Sequence, residues 1–162
     1  MKPLKELFGR SKQAIELSKS LEMRGSTVHL KELVGGAYSL YASATIERRG
    51  GIHILLSDDR DRAAYLLNDL YELLDEERVF FFPSGYKRSA AYGAEDAQGI
   101  VRRTATLNAI ANHSNGYLVV CTYPEALAET VAEPERLDEV SRHIAVGDKV
   151  SQSELVEWLA AN

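Results

Sequence analysis

HLKELVGGAYSLYASATIERR, from His29 to Arg49, is the stretch that decides how this chain is read. A short β-branched and apolar run ends in Gly35-Gly36, and a small-residue helix pattern follows at once. A phosphate-cradling strand-turn-helix begins this way, because backbone N–H groups at a helix start converge on an anion. The shape is right and the chemistry is not. A working phosphate loop needs several glycines, a Lys for the β/γ-phosphates and a Ser or Thr for magnesium. Here Ala37-Tyr38-Ser39-Leu40 follows the glycines, and no Lys appears. Tyr38 stands about where the cation is needed, and Ser39 has no charged neighbour to help it hold a metal-bound triphosphate. Gly35, Gly36, Tyr38 and Ser39 therefore read as a degenerate loop that binds no cofactor, on a scaffold built for a nucleotide.

Working outward, Leu4 to Leu21 mixes Leu4, Leu7, Phe8, Ile15 and Leu21 with Lys, Glu and Ser, the pattern of a surface helix closed by Gly25. Ser26 to Leu30 alternates toward a strand, and the helix after the Gly-Gly turn stops at Gly50-Gly51. Ile52 to Leu56 is a nearly all-apolar run, as in a parallel strand buried on both faces, and Ser57 or Asp58 is placed to cap the helix after it. In that helix Ala63, Leu66, Leu67, Leu70, Leu73 and Leu74 recur at three- and four-residue spacing. Strand Arg78 to Phe82, helix Gln98 to Asn112, strand Tyr117 to Cys121 and a short helix from Tyr123 to Val131, with Thr122 as its cap, complete the alternation. Four strand-helix pairs predict an α/β domain: a three-layer parallel sheet flanked by helices, with right-handed crossovers. Its core should hold Ile54, Leu56, Val79, Phe81, Leu118 and Val120, covered by Leu66, Leu70, Leu107 and Ile110.

The boundaries expected are an N-terminal helix over 1–25, the main domain over 26–134 and the truncated start of a second domain over 135–162. In that last stretch Glu139 to Val146 reads as a strand and Gly147-Asp148 as a turn. A capping box, Ser151 to Glu154, opens the helix Leu155 to Ala161; this tail should be less stable than Val28 to Val131, or bury Trp158 against a neighbouring copy or a foreign surface.

With 162 residues, 45% of them hydrophobic and 27% charged, the chain has the makeup of an ordinary globular domain with a real core. A net charge of −5 argues against a dedicated nucleic-acid module. One cysteine, no signal-peptide pattern at Met1 to Glu22 and no apolar run long enough to span a bilayer point to a cytoplasmic protein. At the strand ends only Asp58 and Asp59 are acidic, and helix capping accounts for them without magnesium. His29, His53, His113 and His143 lack metal-ligand spacing, so no metal site is expected. Cys121 lies inside an apolar strand, and Ser84 lacks the G-x-S-x-G elbow, so no catalytic residue is assigned. The basic pairs Arg48-Arg49, Lys87-Arg88 and Arg102-Arg103 remain. Tyr86, Lys87 and Arg88 fall with Tyr92 on a loop after a parallel strand, where such folds bind ligands; with Arg102 and Arg103 they are the candidate DNA or partner contacts.

These residues also carry a resemblance. LVGGAYSLYASATIE, HILLSDDRDRAAYLLNDLYELL and VFFFPSGYKRSAAYGAEDAQGIVRRTATLNAIA, followed by YLVVCTYPEALAETV and HIAVGDKVSQSELVEWL, resemble the N-terminal segment of the bacterial transcription-repair coupling factor (Mfd) family. That segment is similar to the first domain of the excision-repair protein UvrB, whose phosphate loop keeps its Lys. The resemblance covers about Val28 to Asn162 and implies a RecA/P-loop-like, UvrB domain 1-like fold with a degenerate loop. It implies a parent that displaces stalled RNA polymerase with an ATP- and magnesium-dependent translocase motor on DNA and recruits UvrA to start nucleotide excision repair. The motor and the polymerase-binding domain lie in other parts of such a protein, and the UvrA surface lies mainly on the second domain. This segment is then a non-catalytic module for UvrA recruitment and intramolecular control. The rival readings are a nucleotide-binding ATPase domain with an atypical loop and a small DNA-binding module working through Lys87, Arg88, Arg102 and Arg103.

Overall fold

The computed structural model describes residues 2–86, 96–131 and 144–161. Two compact units divide the chain, Met1–Thr130 and Val131–Asn162.

The first unit opens on two helices where the sequence suggests one: α1 (Lys2–Gly9) and α2 (Lys12–Ser20). Ser11 is the reason. Its hydroxyl accepts the Ala14 N–H at 3.2 Å, a cap that starts a new helix straight after Gly9 and Arg10. Both helices pack on α3 (Ala37–Arg49), with Phe8 edge-on to Tyr41 at 5.3 Å between ring centres. The last turn of α3 fixes this arrangement, as Arg48 donates to the Gly9 carbonyl at 2.8 Å and Arg49 to the Ser18 carbonyl at 3.3 Å. Gly50 then ends α3 at φ 63, a left-handed conformation that a Cβ would strain.

The strand expected over Ser26 to Leu30 does not form. Left-handed residues bracket the run, Gly25 at φ 79 and Glu32 at φ 61, and turn the backbone at both ends. Val28 and Leu30 instead lie part-exposed along an apolar groove with Leu17, Leu21 and Tyr38.

Among the described residues the sheet has three parallel strands, β1 (Gly51–Leu56), β2 (Val79–Phe81) and β3 (Tyr117–Thr122), in the order β1-β3-β2. Between them run α4 (Arg60–Leu73), a single 3-10 turn (Glu76–Arg78) and α5 (Ala97–Ala111); α6 (Pro124–Ala128) follows β3. The crossover from β1 to β2 passes over β3, and the one from β2 to β3 steps back. Right-handed connections running in opposite directions put α4 and α5 on opposite faces. The chain is thus a mixed α/β protein with a small open parallel sheet flanked by helices. Among the described residues, no helix is long and apolar enough to cross a membrane.

β3 is central and almost wholly buried, and Leu66, Leu67, Leu70 and Leu73 of α4 join Ile46 of α3 in the core around it. Val79, Phe81, Leu118 and Val120 are buried as the sequence predicts, while Leu107 and Ile110 are only half-buried against the same core. β1 is different. In register, Ile52, Ile54 and Leu56 pair with Leu118, Val120 and Thr122 and share their face, yet they stay 43%, 59% and 55% exposed. Ile54 and Leu56, expected in the core, are outside it because β1 is at the end of the strand order and α5 packs over the β2–β3 half of that face.

In the second unit, the Asp148 carboxylate accepts the Ala145 N–H at 2.8 Å and closes a turn at Val146-Gly147. Helix α7 (Gln152–Ala161) begins earlier than the capping-box reading placed it, and the Ser151 hydroxyl pairs with that of Ser153 at 2.8 Å. Most of the strand expected over Glu139 to Val146 lies outside the described residues; Ile144 and Ala145 are irregular and Val146 is in the turn.

Leu70 is fully buried and Ile54 is not, so truncation should separate them. Urea denaturation of Leu70→Ala should show a loss of about 2–5 kcal/mol. Ile54→Ala should cost no more than about 0.5 kcal/mol, as for other surface positions.

Candidate functional site

The Gly35-Gly36 turn leads into α3 from irregular chain. Gly35 has φ 57, Gly36 caps the helix without a side chain, and the Ala37 N–H reaches the Val34 carbonyl at 3.2 Å. Ser39, the residue in place to hold a metal-bound triphosphate, is 4% exposed, and its hydroxyl donates to the Asp69 carboxylate of α4 at 2.6 Å. Tyr38 lies on the apolar groove beside α2, where burial pushes its phenol above the ordinary range. Ser39 and Tyr38 are thus engaged with the elements beside α3, while Gly35 and Gly36 are exposed.

The acids after β1 are engaged as well. Asp59, rather than Ser57 or Asp58, caps α4 by accepting the Arg62 N–H at 2.8 Å, and Asp58 pairs with the Arg62 guanidinium. His53 donates its Nε2–H to the Gly50 carbonyl at 2.9 Å, and burial lowers its pKa. His143 lies outside the described residues, and among these no cluster of His, Cys, Asp or Glu could hold a metal ion.

The two candidate nucleophiles have separate fates. Cys121 is fully buried in β3, and burial pushes its thiol up to about 12. Ser84 stands at the C-terminal end of β2 in a network that joins two loops. Its hydroxyl donates to Glu129, which also accepts the Gly85 N–H at 2.9 Å and faces the Arg103 guanidinium at 3.3 Å. The Ser84 N–H in turn donates to the Tyr123 hydroxyl at 2.8 Å. The Glu129 carboxylate is thus shared among three donors, from Ser84, Gly85 and Arg103.

Arg103 is the centre of this network. Only 8% exposed, it donates to the carbonyls of Pro83 at 3.0 Å, Ala126 at 2.9 Å and Thr130 at 3.4 Å, and its guanidinium lies 4.1 Å over the Phe82 ring. Gly99, one turn earlier, allows the approach, since a Cβ there would fall 2.4 Å from the Ser84 carbonyl oxygen. Thr122, expected to cap α6, instead sends its hydroxyl across the sheet to the Phe82 carbonyl at 2.9 Å. The loops after β2 and β3 are thereby stapled together at the carboxyl ends of the strands, the usual ligand side of an open parallel sheet.

The staple divides the predicted contacts. Tyr86 is exposed just beyond it and Arg102 faces outward, whereas Arg103 points inward and presents no charge to a partner. Lys87, Arg88 and Tyr92 lie outside the described residues. Arg102-Arg103, one basic pair in the sequence, is thus split between the two faces of α5. Gly99, Arg103 and Thr106, spaced by four and three, mark the inner face of α5, and that spacing was the available signal.

No protein-family model matches the chain, and no curated protein matches it.

Arg103→Met should cost about 3–5 kcal/mol in chemical denaturation, because Glu129, with its side chain only 18% exposed, is left without its charge partner. The double variant Arg103→Met, Glu129→Gln should recover part of that loss. Cys121 should resist a thiol reagent in the native chain at pH 8 and react once denaturant unfolds it. Labelling as fast as that of a free peptide thiol would contradict the buried position.

Proposed function

We propose that this chain is a non-catalytic interaction module of the transcription-repair coupling kind, serving UvrA recruitment and intramolecular control in nucleotide excision repair. The observation that carries this reading is the commitment of Ser39 to Asp69. A hydroxyl that must hold magnesium beside a triphosphate is here directed at a carboxylate on the neighbouring helix. The missing Lys after Gly35-Gly36 and the use of Asp58 and Asp59 at the start of α4 support the same conclusion. The parallel strand order suits a RecA-like, UvrB domain 1-like core with its phosphate loop out of use. The loop from Pro83 to Tyr86, held rigid by Arg103 and Glu129, then serves as a presentation surface for a partner or DNA. ATP hydrolysis, polymerase displacement and the main UvrA surface belong, on this reading, to other parts of the parent protein.

Calorimetric titration with ATP and magnesium should give no heat of specific binding, and Tyr38→Lys alone should not restore it, since the lysine arrives without the further glycines and the acid. A dissociation constant of about micromolar order would sink the non-catalytic reading. A chain continued through a complete second domain should bind purified UvrA at least about tenfold more tightly than residues 1–162, a difference of about 1.4 kcal/mol. Equal affinities would remove the UvrA contact from the second domain.

A further inference from the structure

β2 pairs on one side only among the described residues. The Phe82 N–H reaches the Cys121 carbonyl at 2.9 Å, so the alternation of a strand turns the groups of Val79 and Phe81 away from β3. Two of those four groups have partners. The Val79 N–H closes the 3-10 turn on the Glu76 carbonyl, and the Phe81 carbonyl accepts the Thr106 hydroxyl at 3.4 Å. The Val79 carbonyl and the Phe81 N–H have none among the described residues. An acceptor and a donor two residues apart, both facing outward, are what a bare strand edge offers to another strand.

This edge opens into a cleft of about 530 Å³, within the range of ligand sites. Ala64, Asn68 and Tyr71 of α4 form one wall and Arg102 of α5 stands on the other side, with Glu76 and Glu77 at the start of the strand. Neither glutamate has an ion-pair partner among the described residues. A small side chain at Ala64 leaves room for backbone, and the glutamates supply charge for a basic group.

We propose that the β2 edge accepts an extended peptide segment of a partner protein as an added strand, with a lysine or arginine of that segment seated at Glu76 and Glu77. Main-chain hydrogen bonds to Val79 and Phe81 supply the affinity, and the glutamates fix the direction and the basic specificity. Arg102, singled out in the sequence as half of a basic pair, forms the rim of this cleft. The inference does not rest on the coupling-factor reading, because it needs no second domain and no UvrA.

The test is a phage-displayed heptapeptide library panned against the full chain, with the best selected peptide then synthesised. Alternating apolar residues with a Lys or Arg toward one end should be enriched. The synthetic peptide should slow exchange of the Phe81 amide at least about tenfold, equivalent to 1.4 kcal/mol. Asn68→Trp, made on the exposed side of α4, should abolish binding, and the double variant Glu76→Lys, Glu77→Lys should weaken it about tenfold or more. The proposal is overturned if no sequence is enriched relative to the Asn68→Trp chain, or if bound peptide leaves Phe81 exchange unchanged. It is equally overturned if N-methylating alternate peptide amides has no effect, or if Phe81 becomes protected by raising the protein concentration alone, which would mean that a second copy takes the edge.

Discussion

Parallel strands cannot be joined by a tight turn, and most of this molecule follows from that restriction. Each neighbour of β3 is reached through a long connection, so α4 and α5 are as much a product of strand direction as of their own apolar stripes. Because the two crossovers run opposite ways, one helix is delivered to each face, and β3 is enclosed with Val119 and Cys121 wholly buried. The same geometry leaves both outer strands incompletely covered. On β1 the consequence is an apolar face open to solvent; on β2 it is a pair of backbone groups with no strand to meet.

The parts of the fold that could be read from the sequence were those whose signal is local. α4 announces itself through four leucines at helical spacing, and Tyr117 to Cys121 through an unbroken apolar run, and both are where the pattern placed them. Ile52 to Leu56 is a strand, as its apolar run predicts, but not the strand buried on both faces that such a run also implies. An all-apolar run reports that a strand exists, while coverage of its faces depends on strand order, which no local window contains. Ser26 to Leu30 failed for the opposite reason. Its alternation was real, but Glu32 adopts a left-handed conformation that few non-glycine residues take, and nothing in its side chain gives notice of that.

The candidate site was legible in what it lacks and opaque in what it contains. Absence of a Lys after Gly35-Gly36 is a sequence fact, and the engagement of Ser39 with Asp69, thirty positions on, agrees with it. Arg103 and Glu129 are joined only by tertiary structure, across a loop, a strand and a helix. As a neighbour of Arg102 on paper, Arg103 looked like surface charge. A helix turns about 100° per residue, so adjacent basic residues face different surroundings, and burial of small residues on the Gly99 side decides which one turns inward.

Gly99 gives the staple a vulnerability at a residue that contributes no side chain to it. Any substitution must move the first turn of α5 away from the Ser84 backbone, and the Arg103 guanidinium, one turn further along the same rigid rod, would be withdrawn from three carbonyls together. In a survey of mutational tolerance, this glycine should therefore rank with the charged pair it positions. The exposed basic residue at Arg102, three positions away, should accept almost anything the fold is asked to carry there.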